Sequence, residues 1–230
     1  TDDPKKIEYN VPKTYDFGES VSYGGQTDRL NMLSALKSAV SGSHVIGASV
    51  SADALKNMYD NPEPYGSAFE GETLGSSKKN LSGKTEGNAK VEMYALLEEI
   101  AANSGIEGGE NGKAGLVQRG ANDDGTPKYI LVNKHGQEYA QLVEKGLMGS
   151  CFYNQIAEGY LSDTKIGKDV ENSKNEMDDE GKDKGYTKKQ HHFDEAFGYF
   201  GLPADWDKTQ DDKANDQVRF WGKYCNKRNG

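Results

Sequence analysis

The sequence has little of what stabilises small disulfide-rich domains or anchors a chain in a membrane. It contains two cysteines, Cys151 and Cys225, which are too few for a disulfide scaffold. Both lie in apolar, helix-like segments, so two buried free thiols are the simpler expectation. A Cys151–Cys225 bridge in an exported chain is the alternative. No apolar run approaches the roughly 18 to 20 residues that a membrane span requires.

Positive charge is also scarce. The chain has 37 acidic and 28 basic residues, for a net charge of −9. Proteins that bind nucleic acid through its phosphates cluster Lys and Arg, so we expect no nucleic-acid partner, and cations are compatible ligands. The P-loop, G-x-G-x-x-G, G-x-S-x-G, HExxH and CxxC motifs are absent, so the usual nucleotide-binding and hydrolase chemistries have no support.

The chain divides into a polar start and one larger domain. Residues 1–24 show no helical period and predict an extended N-terminal tether, and residues 25–230 predict a helical-bundle domain. Apolar periodicity predicts helices over 27–41, 86–104, 137–161 and 188–200. In the third helix, Tyr153 and Tyr160 fall on one apolar stripe. Segments rich in Gly, Ser and charge predict mobile loops near 66–88 and 162–186. The segment PKYILVN, 127–133, is a strand or a buried extended segment.

The stretch TKKQHHFDEAFGYFGLP, residues 187–203, carries the densest functional signal. Thr187 and Gln190 have the spacing of a capping box, which sets where the helix begins. On that helix a stripe of Phe193, Ala196, Phe197 and Phe200 is predicted to face the core. A neighbouring stripe carries His192, Glu195 and Tyr199.

His192 and Glu195 lie on adjacent turns of this helix, where their side chains can meet one ion. An imidazole and a carboxylate from one helix are a common half-site for Fe or Zn, completed by other helices. The alternative is that Glu195 only orients His192 through a hydrogen bond. His135 and Glu138 repeat the spacing, but Gly136 argues against a helix there. The candidate helpers are His191, Asp194, Tyr199, Glu138 and Glu144.

Three segments together resemble a known family: GQEYAQLVEKGLMGSCFYNQIAEGYL, HHFDEAFGYFG and RFWGKYCNKR. They are similar to exported bacterial lipoproteins of unknown function that are related to the imelysins, whose mark is H-x-x-E, usually within G-x-H-x-x-E. The resemblance covers most of residues 14–228. The motif falls on His192 and Glu195, and Gln190 stands where the family's leading glycine would be.

This resemblance implies an all-α fold, an imelysin-like helical bundle with long polar loops. Imelysins resemble paired bundles, and this chain ends within a helical segment, so the expectation is one half of a two-bundle protein or a complete single bundle. A second half would then be supplied by further chain or by a partner chain. The location implied is the periplasm, or the outer membrane and cell surface, through a lipid anchor.

The function implied is metal-linked binding in iron acquisition, with a metal ion or an outer-membrane protein as partner. One alternative is a metal-free scaffold lipoprotein that binds a protein or glycan through its tyrosines. The other is a metallopeptidase. A zinc peptidase needs about three ligands, an open position and a general base. One H-x-x-E supplies two ligands, so the sequence favours binding over catalysis.

Overall fold

The computed structural model describes residues 12–69, 74–110, 112–207 and 215–228. Within them the chain forms seven α-helices and two antiparallel β-hairpins. The helices are α1 (Gly24–Gly42), α2 (Ala52–Asp60), α3 (Gly87–Asn103), α4 (Tyr139–Leu147), α5 (Asp163–Ile166), α6 (Lys188–Phe200) and α7 (Phe220–Asn226). The strands are β1 (Gly115–Ala121), β2 (Pro127–Val132), β3 (Asn175–Met177) and β4 (Asp183–Thr187).

The predicted all-α fold class is wrong, because the two hairpins make the fold mixed, though mostly helical. In the first hairpin Leu116 lies opposite Leu131 and Val117 lies opposite Ile130. The chain reverses at the polar turn Asn122–Gly125, where Gly125 has φ +81° and its amide donates to the Asn122 carbonyl at 2.9 Å. Pairing between two strands depends on contacts that neither strand encodes alone, so only β2 was foreseen as an extended segment.

The second hairpin, residues 175–187, lies almost entirely within the segment 162–186 that was predicted to be a mobile loop. Asn175 pairs with Thr187 and Met177 with Asp183. Gly181, at φ +80°, lies in the turn that joins the strands. β4 runs directly into α6, so this hairpin sets where the functional helix begins.

The four predicted helices are confirmed as α1, α3, α4 with its continuation, and α6. The predicted helix 137–161 begins as α4 and changes its winding after Leu147. There it continues as two π-helical segments, Met148–Tyr153 and Gln155–Tyr160. A π-helix bonds residue i to i+5, so it shifts the phase of the apolar stripe. Tyr153 is consequently 58% exposed whereas Tyr160 is buried, although both were placed on one stripe.

The hydrophobic core lies between α1, α2, α3 and α4, with α6 packed on the other side of α1. Leu36 of α1 and Leu97 of α3 are fully buried there. The loop near 66–88 also contributes, because Leu74 and Leu81 are fully buried. Residues 70–73 of that loop lie outside the described residues. The mobility predicted for this loop stays a prediction.

The N-terminal segment lies against α6 from residue 12 onwards, and residues 1–11 lie outside the described part. The Tyr15 ring stacks on Phe197 at 3.8 Å between centroids. The Tyr15 amide donates to the Ala204 carbonyl at 2.8 Å. This segment therefore covers a face of α6 that the tether prediction had left open.

Both cysteines are free thiols, Cys151 buried and Cys225 exposed. The expectation that both are buried is therefore wrong for Cys225. Burial raises the pKa of Cys151 to about 12. Because the thiolate is the reactive form, Cys151 is inert at neutral pH. In the described part of the chain, the helices are too short or too polar to cross a membrane.

Candidate functional site

The predicted capping box at the start of α6 is confirmed. The Thr187 hydroxyl accepts from the Gln190 amide at 3.3 Å, and the Gln190 side chain accepts from the Thr187 amide at 2.8 Å. The helix ends at Gly201, whose φ of +89° is a left-handed conformation that favours glycine. Local sequence therefore fixes the limits of the helix that carries the H-x-x-E pair.

Of the predicted core stripe of α6, Ala196 is buried, whereas Phe193 is exposed and Phe197 and Phe200 are only partly buried. Phe193 is 49% exposed, and the face turned inward carries His192, Ala196 and Tyr199. The reason is a close approach at Gly198, where an added Cβ would lie 2.6 Å from the Tyr23 Cβ. This contact brings α6 against the start of α1, so backbone proximity decides which face is buried.

His192 and Glu195 do lie together, as predicted. The His192 Nδ1 atom is 3.3 Å from Glu195 Oε2, and the Gln26 side-chain Nε2 donates to Glu195 Oε1 at 3.2 Å. His192 is 8% exposed, and its Nε2 atom is buried without a hydrogen-bond partner among the described residues. A carboxylate that holds one imidazole nitrogen while the other is free is the usual outer arrangement of a metal-binding histidine.

Two of the predicted helpers lie in ion pairs of their own. Glu138 pairs with Arg119 at 3.1 Å. Glu144 is buried and pairs with Lys37 and with Lys145, the latter at 3.0 Å. The second H-x-x-E is not a helical pair, since His135 is exposed and precedes α4.

The helpers on α6 point in different directions. Asp194 accepts from the Tyr15 hydroxyl at 2.8 Å and the Ser22 amide at 3.1 Å. His191 stacks on Tyr186 at 4.8 Å, and the Tyr199 hydroxyl is buried without a partner in the described chain. Across the described residues, no three His, Cys, Asp or Glu side chains are grouped as a metal site would require.

A polar pocket of about 330 Å³ lies beside this pair, at the N-terminus of α1. Its walls come from five parts of the chain: the start of α1, the loop before α3, the end of the second π segment, β4 and α6. The charged lining residues are Arg29, Lys79, Lys84 and Glu195, and His191 also lines the pocket. We call this the α1 pocket.

Arg29 forms the inner wall of the α1 pocket and is only 7% exposed. Its Nε atom donates to the Asn80 carbonyl at 2.8 Å and its Nη1 atom to the Gly25 carbonyl at 3.0 Å. Nη2 makes no hydrogen bond within the described chain. A buried guanidinium without a carboxylate partner is unusual, because burial of an unpaired charge is costly.

Lys84 brings a second positive charge to the pocket. Its Nζ atom is 3.5 Å from the Tyr160 hydroxyl and 5.7 Å from the centre of that ring. Burial and the nearby charge of Arg29 lower the pKa of Lys84. Burial and the charge of Glu195 raise the pKa of Tyr160 to about 12, so this tyrosine is a neutral donor. The π segments place Tyr160 here.

The first turn of α1 supplies backbone donors. Its N-cap residue, Tyr23, makes no side-chain capping bond, and the first turn contains no acidic residue. The Gly24 and Gly25 amides donate to no acceptor within the described chain. The Lys79 side chain lies across Gly25, since a Cβ added there would be 2.8 Å from Lys79 Cε. Free amides at a helix N-terminus form an anion-binding site.

Sequence reasoning missed this pocket. The helix was predicted from residue 27, so Gly24 and Gly25 were placed before it, and Lys79 and Lys84 fell in a loop considered mobile. A Gly-Gly pair without a capping side chain, followed by Arg29 within the same helix, was the one available signal.

Comparison with known proteins gives one match. Neither a curated protein nor a solved structure matches the chain. The profile of a family described as "Domain of unknown function (DUF4856)" matches residues 12–230. That match covers nearly the whole sequence and does not itself link the chain to the imelysins. The chain belongs to the DUF4856 family.

Proposed function

We propose that this protein binds a small anion in the α1 pocket. The observation that supports the proposal is the convergence of Arg29, Lys79 and Lys84 in a chain whose net charge is −9. Among the described residues, none of the three forms an ion pair with a carboxylate. Like charges held together raise the free energy of the empty protein, and a bound anion relieves that cost.

The helix adds to this attraction. The N-terminus of α1 carries about half a positive charge from its aligned peptide dipoles. Its 19 residues give that dipole full length, and Arg29 extends the donor surface one turn further along the helix. Backbone amides, a guanidinium and ammonium groups are the donors that bind phosphate and carboxylate groups in proteins.

The test is calorimetric titration of inorganic phosphate into tag-free protein in a phosphate-free buffer. We expect the wild type to bind and Lys84→Gln to bind about tenfold or more weakly, because it loses a charge-assisted contact. Lys128→Gln removes the same charge from the exposed β1–β2 hairpin and is the matched control. It should bind like the wild type.

Two results would count against anion binding. One is the absence of binding heat with both phosphate and sulfate. The other is equal weakening by Lys84→Gln and Lys128→Gln, which would mean that phosphate responds only to overall charge. Circular dichroism of both variants checks that they fold.

Binding of Fe or Zn through His192 and Glu195 is a second proposal. The observation that favours it is the buried, unpartnered His192 Nε2 atom, with Nδ1 held by Glu195. Glu195 orients the imidazole in this arrangement, so His192 supplies one donor and a bound ligand must supply the others.

Titration of chelator-treated, tag-free protein with Fe²⁺ and Zn²⁺ tests this second proposal. His192→Ala should abolish binding, and His44→Ala, which changes a histidine at the far end of α1, should retain it. Equal heats for the wild type and His192→Ala would reject the metal. Export, a lipid anchor and a role in iron acquisition belong with this proposal.

A further inference from the structure

The charge balance of the α1 pocket limits what the anion can be. Arg29, Lys79 and Lys84 are positive and Glu195 is negative. With about half a charge from the helix N-terminus, the pocket carries roughly +2.5. A monoanion leaves most of that charge uncompensated, whereas a dianion nearly neutralises it.

The donors also come from more than one element and are of three kinds: backbone amides, a guanidinium and ammonium groups. Gly24, Gly25 and Arg29 line the pocket from the first two turns of α1, and Lys79 and Lys84 line it from the loop before α3. A planar carboxylate presents two oxygens, whereas a phosphoryl group presents three and can accept from several directions at once. The arrangement favours phosphate over carboxylate.

Glu195 adds a negative charge to a pocket whose other charged side chains are positive. Its two oxygens already accept from Gln26 and contact His192, at 3.2 and 3.3 Å. An ionised carboxylate has about four acceptor positions, so further donors can be bound. A phosphate oxygen facing it would be repelled, but a ligand hydroxyl group would donate to it.

The pocket has room for more than a phosphate ion. Its 330 Å³ equals the volume of about eleven water molecules at roughly 30 Å³ each. Three tyrosines, Tyr23, Tyr160 and Tyr186, are among the other residues that line the pocket. Tyrosine hydroxyl groups can hydrogen-bond the hydroxyl groups of a ligand.

We infer that the ligand of the α1 pocket is a phosphate monoester of a small hydroxylated molecule. The phosphate group lies against the N-terminus of α1 with Arg29, Lys79 and Lys84, and a hydroxyl group donates to Glu195. This inference rests on the proposed function and specifies its ligand class.

Calorimetry with four probes tests the inference. These are inorganic phosphate, glycerol 3-phosphate, glucose 6-phosphate and glucuronate, a hydroxylated monoanion. With the wild type, at least one ester should bind at least tenfold more tightly than inorganic phosphate, and glucuronate should be the weakest. This comparison needs no variant, so it stands even if a substitution impairs folding.

Glu195→Gln then tests the role of the Glu195 carboxylate as the acceptor for a ligand hydroxyl group. It should strengthen binding of inorganic phosphate by removing a repelling charge, and reduce the advantage of the ester severalfold. Esters no tighter than phosphate, glucuronate as tight as phosphate, or an unchanged ester advantage in Glu195→Gln would each overturn the inference. All three leave the proposed function standing, because phosphate still binds. If no anion binds, the proposed function fails as well.

Discussion

The two ends of α1 lie in opposite environments. Towards its C-terminal end, Leu33, Leu36 and Val40 are fully buried among apolar side chains from α2, α3 and α4. Towards its N-terminal end, Gln26 and Arg29 are also buried, but in polar surroundings. At the C-terminal end these apolar side chains pack in the core. At the N-terminal end the Gly24 and Gly25 amides have no acceptor within the described chain. The difference separates the part of the helix that stabilises the fold from the part that is suited to bind a ligand.

The buried charge on α4 sharpens this contrast. Glu144 is as buried as Arg29, but Lys37 and Lys145 both pair with it. Glu144 therefore shows how this chain neutralises a buried charge that has a structural role: it pairs the charge with oppositely charged side chains. The positive charges of the α1 pocket lack such pairing among the described residues, which supports a ligand as the missing partner.

The largest expected effect is on stability, at the apolar end. Leu36→Ala should lower the free energy of unfolding by about 2 to 5 kcal/mol, because it removes buried methyl groups and leaves a cavity. Urea denaturation followed by circular dichroism measures this. Phosphate affinity of the folded variant should be unchanged, and a parallel loss of affinity would show that the two ends are coupled.

The second-largest expected effect is stabilisation of the protein by phosphate bound at the N-terminal end of α1. Phosphate at about 100 times its dissociation constant should raise the free energy of unfolding of the wild type by about 2.7 kcal/mol. Arg29→Gln should lose that gain, because the innermost donor is absent. Chloride at equal ionic strength is the control. An equal gain in chloride would attribute the effect to screening rather than to a site.

A smaller effect concerns pH. The pKa of Lys84 is lowered by burial and by Arg29, so Lys84 loses its proton at a lower pH than an exposed lysine. Its charge is present below that pKa and lost above it. Sulfate affinity should therefore fall as pH rises through the lowered Lys84 pKa. Calorimetry from pH 7 to 10 measures this, and Lys84→Gln should show a flatter profile. Sulfate is used because it does not titrate in this range.

The smallest effect tests the corrected face of α6. Phe193→Ser should change the free energy of unfolding by no more than about 0.5 to 1 kcal/mol, because half of the ring is exposed. Tyr199→Ala, on the buried face, should cost several times more. Thermal unfolding of the two variants compares them. Equal losses of unfolding free energy in the two variants would mean that Phe193 belongs to the core, as the sequence predicted.

The sequence alone determined the features that depend on neighbouring residues. Helical periodicity located α1, α3, α4 and α6, because apolar residues must recur every three or four positions to share one face. The Thr187–Gln190 capping box located the start of α6, because its bonds join residues three apart. The same proximity brought His192 and Glu195 together.

Tertiary structure decided the features that depend on contacts between distant segments. The hairpins formed through pairing that no single strand encodes, and the close approach of Gly198 to Tyr23 turned His192 and Tyr199 inward instead of Phe193. The α1 pocket needs Gly25, Lys84, Tyr160 and Glu195 in one place. Their sequence separations far exceed any helical period, so only the folded chain reveals the charge that they concentrate.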